Sequence, residues 1–132
     1  MIDQLTDSQR KWHDLAAKHA DDFATRAAQH DEENSYPFEN MQALRDSGYT
    51  AMPIPVDMGG GGASLLEVCI AQNRLAQGDG ATALAVNMHF GLPYIMCDLI
   101  KAGDEHARPL LERIAAEKLM VFLLLPTLRL TR

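Results

Sequence analysis

Residues 81–91, ATALAVNMHFG, constrain what this chain can fold into more than any other stretch. Small and apolar side chains fill nearly every position, and only Thr82, Asn87 and His89 carry polar groups. A helix that is apolar all round belongs in the middle of a bundle, not on its surface. Its small side chains let neighbouring helices, or a flat apolar ligand, come close to the backbone. Asn87 and His89 give it a polar tip just before Gly91-Leu92-Pro93, which is expected to end the helix. The stretch reads as a central wall, lining either a cavity or only a core.

A chain of 132 residues can bury a core around such a helix without disulfides or metal. Its Ala, Leu, Met, Glu, Gln and Arg content favours helix, and only 6% of residues are aromatic. The net charge of −6 is scattered, with no Lys/Arg cluster to neutralise phosphates, so nucleic acid is not an expected partner. Cys69 and Cys97 lie inside apolar helical patterns and are expected to be two buried thiols of a cytoplasmic protein. The polar N-terminus MIDQLTDSQRK has no apolar segment of a secretory signal. No apolar run approaches the roughly 18 residues of a membrane span, so no membrane role is expected.

The pattern in chain order predicts about five or six helices in an up-and-down-like, all-α bundle. Thr6-Asp7-Ser8-Gln9 is a capping box. Trp12, Leu15, Ala16, His19, Ala20, Phe23, Ala24 and Ala27 then repeat at helical spacing, predicting one helix of about 22–25 residues. Pro37 suits a first helical turn, and Met41 and Leu44 form a short stripe ending at Gly48. Pro53 and Pro55 favour extended chain before Gly59, Gly60, Gly61 and Gly62. Ser64-Leu65-Leu66-Glu67 is a second capping box, opening a helix that closes at Gly78. Asp79 can cap the central helix, and Pro93 is expected to start a separate helix over 94–102. Asp104 caps the next segment, with a turn before Pro109 and a regular helix from about Arg108 to Glu117. Residues 119–125, LMVFLLL, have the Val and Phe content of a buried strand and form a strand-like tail.

The candidate chemistry is sparse. The glycine run either cradles a phosphate on its amides or turns the chain sharply; no Lys-Ser/Thr follows it. His89 either moves a proton beside an apolar pocket or is hydrogen-bonded at a helix end. Thr82 has the further option of bonding its own helix backbone. His13, His19, His30 and His106 share no spacing with carboxylate or thiol that predicts a metal site.

The order of features over 37–119 resembles the N-terminal helical domain of the acyl-CoA dehydrogenase family of flavoproteins. The matching pieces are PFENMQALRDSGYTAMPIPVDMGGGGAS, LLEVCIAQNRLAQGDGATALAVNMHFG and AGDEHARPLLERIAAEKLM. The resemblance implies FAD-dependent dehydrogenation of an acyl-CoA thioester at a CH–CH bond. In that family a carboxylate removes the α-proton and the flavin takes the β-hydride. It implies a helical domain over 1–118, and in 119–132 the start of a flavin-binding β domain or a divergent tail. In the family this domain supplies one wall of the acyl cavity. The matching positions here are Thr82, Ala85, Val86, His89 and Phe90.

After Met120 the family pattern gives way to VFLLLPTLRLTR, which reads as a truncation or frame change near a domain boundary. No carboxylate here matches the family's base, so no catalytic residue is assigned in this chain; most of the FAD site is expected elsewhere. Full-length relatives imply an acyl-CoA substrate and a homo-oligomer. Two other readings stand beside this one. One is a fragment of a flavin-dependent monooxygenase of the same fold, using His89. The other is a stand-alone helical module, without catalysis, that docks through 119–125.

Overall fold

Two reciprocal caps set where the bundle begins. The Thr6 hydroxyl accepts the Gln9 N–H at 3.2 Å, and Gln9 Oε1 accepts the Thr6 N–H at 3.1 Å. This starts α1 (Asp7–Phe23). The Ser64 hydroxyl and Glu67 do the same for α4 (Leu65–Ala76), with Glu67 Oε2 accepting the Ser64 N–H at 2.7 Å. Ser8 also donates to Glu67 Oε1, which ties the starts of the two helices together. The computed structural model describes residues 4–121. Among these it has six α-helices, with α2 (Ala27–Glu33), α3 (Phe38–Asp46), α5 (Gly80–Lys101) and α6 (Arg108–Glu117) completing the set, and no strand.

The single long first helix expected from the spacing is in fact two. The Thr25 hydroxyl donates to the Asp22 carbonyl at 2.7 Å, while Arg26 folds back onto the Asp22 carboxylate at 2.6 Å. These local bonds compete with the helix ladder and end α1 at Phe23. Arg26 then reaches Asn40 at 2.7 Å instead of continuing the exposed face.

α1 and α4 pack through small residues. Ala16 and Ala20 are fully buried, and a side chain at Gly78 would collide with the Ala20 backbone. Phe23, Leu44, Tyr49, Leu75, Val86 and Phe90 fill the main core around them. A second cluster of Ile54, Met58, Cys97, Leu111 and Ile114 joins the far half of α5 to α6. The Arg45 guanidinium donates to the Lys118 carbonyl at 2.7 Å, so α3 and the end of α6 are fastened as well.

Gly91-Leu92-Pro93 does not end the central helix, and no separate helix begins at Pro93. α5 runs for 22 residues with Pro93 inside it. The reason is packing: Thr82, Val86, His89, Phe90, Pro93 and Cys97 form one buried stripe at steps of three and four. Breaking the helix would split that stripe, whereas the proline removes a single ladder bond. Continuity also makes α5 long and apolar enough to cross a membrane by length and composition alone, against expectation. The turn over Glu105–Ala107 before α6 follows the sequence, as does the Asp104 cap on the His106 N–H at 3.1 Å. Of the strand-like tail, residues 119–121 form no strand, with Leu119 and Val121 against the second cluster and Met120 against the main core; 122–125 lie outside the described residues.

Candidate functional site

The N-terminal end of α5 is held by a buried polar cluster. Asp79 caps the helix, accepting the Thr82 N–H at 3.0 Å on one oxygen and the Thr82 hydroxyl at 2.6 Å on the other. Asn40 is fully buried in α3 and donates to both Asp79 Oδ2 and Thr82 Oγ1 at 3.0 Å. Its own carbonyl oxygen accepts from Arg26. Every buried polar atom of this cluster named here thus has a partner, which is what makes burial of Asp79 tolerable. Asn40 was not among the residues the sequence singled out. Its place one residue before Met41 and four before Leu44 was the available signal.

His89 sits one helical stretch further along, with none of its surface exposed. Its Nδ1 accepts the Val121 N–H at 3.0 Å, which leaves Nε2 protonated and donating to the Thr50 carbonyl at 2.7 Å. One neutral tautomer therefore satisfies both backbone partners. Burial holds the imidazole below its ordinary pKa, against the bond to the Thr50 carbonyl, which raises it. With both nitrogens committed, the ring fastens the 50s loop and the segment after α6 to α5. His89 is hydrogen-bonded, but in the interior of α5 and not at the helix end expected for it.

The glycine run turns the chain and presents no free cradle. The N–H groups of Gly59, Gly60, Gly61 and Gly62 donate to the carbonyls of Val56, Pro55, Ala51 and Ile54. A side chain at Gly60 would collide with the Ile54 backbone, and one at Gly61 would meet the Trp12 ring at 2.6 Å. The loop is glycine because other chain passes directly against it. A cleft of about 410 Å³ beside it has Lys11, Arg45 and Lys118 on its walls. Lys118 Nζ donates to the Asp46 carbonyl at 3.2 Å, so it caps a helix end. These amides do not fit a flavin pyrophosphate, and an FAD site needs other residues.

The expected pocket residues are on α5 but turned into the bundle. Thr82, Val86, His89 and Phe90 are buried and Ala85 is half-buried against the main core. Leu84, Met88, Ile95 and Leu99 form the open apolar side of the same helix, 68%, 61%, 53% and 44% exposed. The sequence, apolar on every side, does not tell these two faces apart. Cys69 is exposed and only Cys97 is buried, so the expectation of two buried thiols holds for one; both are free. Among the described residues no group of three His, Cys, Asp or Glu side chains is placed to hold a metal ion.

The family model described as "Acyl-CoA dehydrogenase, N-terminal domain" matches residues 6–118. The putative acyl-CoA dehydrogenase YdbM of Bacillus subtilis is 43% identical over 86 residues, 65% of this chain and 23% of that protein. The 3-sulfinopropanoyl-CoA desulfinase of Variovorax paradoxus is 35% identical over 64% of this chain and 25% of its own length. Benzylmalonyl-CoA dehydrogenase of Aromatoleum aromaticum is 36% identical, over 64% and 22% respectively. The chain thus spans about a quarter of the curated relatives it matches. Among solved structures, KijD3 in complex with dTDP superposes with a TM-score of 0.74 at 32% identity, covering 86% of this chain and 30% of that one.

Proposed function

Because the chain belongs to the acyl-CoA dehydrogenase family, whose N-terminal domain it carries, we propose that it is the acyl-pocket domain of an FAD-dependent oxidoreductase acting on acyl-CoA thioesters at a CH–CH bond. The observation that carries the reading is the match over 6–118, in which α5 keeps a continuous apolar side open. Apolar surface of that extent is normally covered in a finished protein. An acyl chain and the remainder of a longer protein are what would cover it.

On this reading α5 is the wall, built in two layers. Thr82, Val86, His89 and Phe90 support it from inside the bundle, Ala85 stands at the edge, and Leu84, Met88, Ile95 and Leu99 face outward. The flavin would supply the hydride acceptor. This chain's contribution is a rigid apolar surface, fixed at one end by the Asn40–Asp79–Thr82 cluster and near its middle by His89. The base and most of the flavin site belong to residues beyond this domain, so the chain alone is incomplete as a catalyst. The proposal extends to a cytoplasmic protein that forms a homo-oligomer in full-length relatives.

Mixing the purified chain with FAD and octanoyl-CoA under anaerobic conditions tests the incompleteness. The flavin absorbance should stay unbleached and the flavin should pass freely through a membrane that retains the protein. Bleaching by the chain alone would overturn that part of the reading.

A further inference from the structure

The cleft of about 410 Å³ beside the glycine run is also walled by α1, the end of α3 and the end of α6. None of the five positions matched to the acyl wall lines it. We propose that this cleft binds a small organic phosphate, with Lys11, Arg45 and Lys118 holding the anionic head and the apolar walls receiving the body.

What each cation touches places its head group at the cleft. Lys11 Nζ lies 4.5 Å from the centre of the Trp12 ring, Arg45 Nε donates to the Lys118 carbonyl at 2.7 Å, and Lys118 Nζ donates to the Asp46 carbonyl at 3.2 Å. Trp12, Lys118 and Asp46 are themselves wall residues. These contacts leave most of the donors unused, since a guanidinium carries five N–H groups and an ammonium three. Arg45 keeps both terminal nitrogens for an oxyanion, which suits two parallel hydrogen bonds. The amides of the glycine run are spent on backbone carbonyls, so the holding falls to side chains.

Charge selects the class of ligand. Arg26, Arg74, Lys101, Arg108 and Arg113 each pair with a carboxylate, whereas no described carboxylate pairs with Lys11, Arg45 or Lys118. Asp46 is the acidic residue of the walls, and its carboxylate accepts from Gln42 at 2.9 Å. The cleft thus sets three positive charges against one negative, on a chain whose net charge is −6. A surplus of that size matches a phosphate monoester, which carries about −1.5 to −2 at pH 7. The volume lies in the range of about 300–1,000 Å³ in which small-molecule sites fall. A bare phosphate ion fills little of it, and Trp12, Leu15, Ala51 and Ala115 supply apolar wall for an organic body.

Amide NMR of the full chain titrated with phenyl phosphate tests the proposal, with phenol and benzoate as probes that lack the phosphate. Phenyl phosphate should give saturable shifts at Lys11, Trp12, Gly60 and Lys118, and phenol none. Benzoate, with a single negative charge, should bind more weakly, as should inorganic phosphate, which has no body to lay on the walls. Lys11 is exposed, so Lys11→Gln should keep the wild-type spectrum outside the cleft. That variant should weaken phenyl phosphate by about 3- to 10-fold, whereas Lys101→Gln, which removes the same charge outside the cleft, should leave it unchanged. Four results would each overturn the assignment: no saturable shift at these residues, benzoate or inorganic phosphate binding as tightly as phenyl phosphate, equal affinity for wild type and Lys11→Gln, or equal weakening by Lys11→Gln and Lys101→Gln.

Discussion

His89 shows how one side chain can hold three parts of a chain together. A neutral imidazole has one donor and one acceptor, and the structure uses both on backbone, at Thr50 and Val121. Replacing it by leucine keeps the bulk but leaves a buried carbonyl and a part-buried N–H unpaired. His89→Leu should therefore lose about 1–3 kcal/mol at pH 8 in urea unfolding. The pH dependence has a definite sign. Burial lowers the folded pKa of both His19 and His89 below the ordinary 6.5. At high pH both states are neutral and stability is full. As pH falls through 6.5 the unfolded chain takes up protons first, so stability declines toward the lower folded pKa values. Wild type should lose stability between pH 8 and pH 5, and His89→Leu should show a shallower decline. Parallel declines would mean that His89 does not titrate in this way. At this scale the sequence raised His89 as either proton carrier or tie, and its two backbone partners were not legible because they lie 39 and 32 residues away. Asn40 was legible only in hindsight, because its partners lie 39 and 42 residues away.

Helix starts were readable where a side chain bonds its own neighbours. Thr6, Ser64, Asp79 and Asp104 all cap as their spacing implied, since each bond closes within three residues. Helix ends decided by distant packing were not. Pro93 looked like a boundary and is an interior residue of α5, because one buried stripe continues on both sides of it. The break after Phe23 was missed for the complementary reason: Thr25 and Arg26 bond locally within a pattern that still reads as helix. Two glycine substitutions separate these influences. A side chain at Gly91 would meet nothing within 4 Å, so Gly91→Ala should stabilise α5 by about 0.5–1 kcal/mol. Gly60→Ala places its methyl against the Ile54 backbone and should cost about 1–3 kcal/mol. Thermal unfolding of the two variants should move in opposite directions; movement in the same direction would contradict the loop and helix placements.

For the molecule as a whole, the all-α class followed from composition and spacing, and the family from the order of the motifs. Which face of α5 is open did not follow, because a helix apolar on all sides gives periodicity nothing to register. The structure divides that helix into an inner stripe running from Thr82 to Cys97 and an outer one of Leu84, Met88, Ile95 and Leu99. The central claim is that this bundle serves as the acyl-wall domain of a flavin-dependent dehydrogenase. Its most direct test is an exchange: residues 6–118 replace the matching region of the Bacillus subtilis relative, and flavin bleaching by a series of acyl-CoA thioesters is followed anaerobically. The account predicts that the chimera retains FAD and bleaches with at least one thioester. A folded, FAD-loaded chimera that stays oxidised with every thioester, while the parent bleaches, would contradict it.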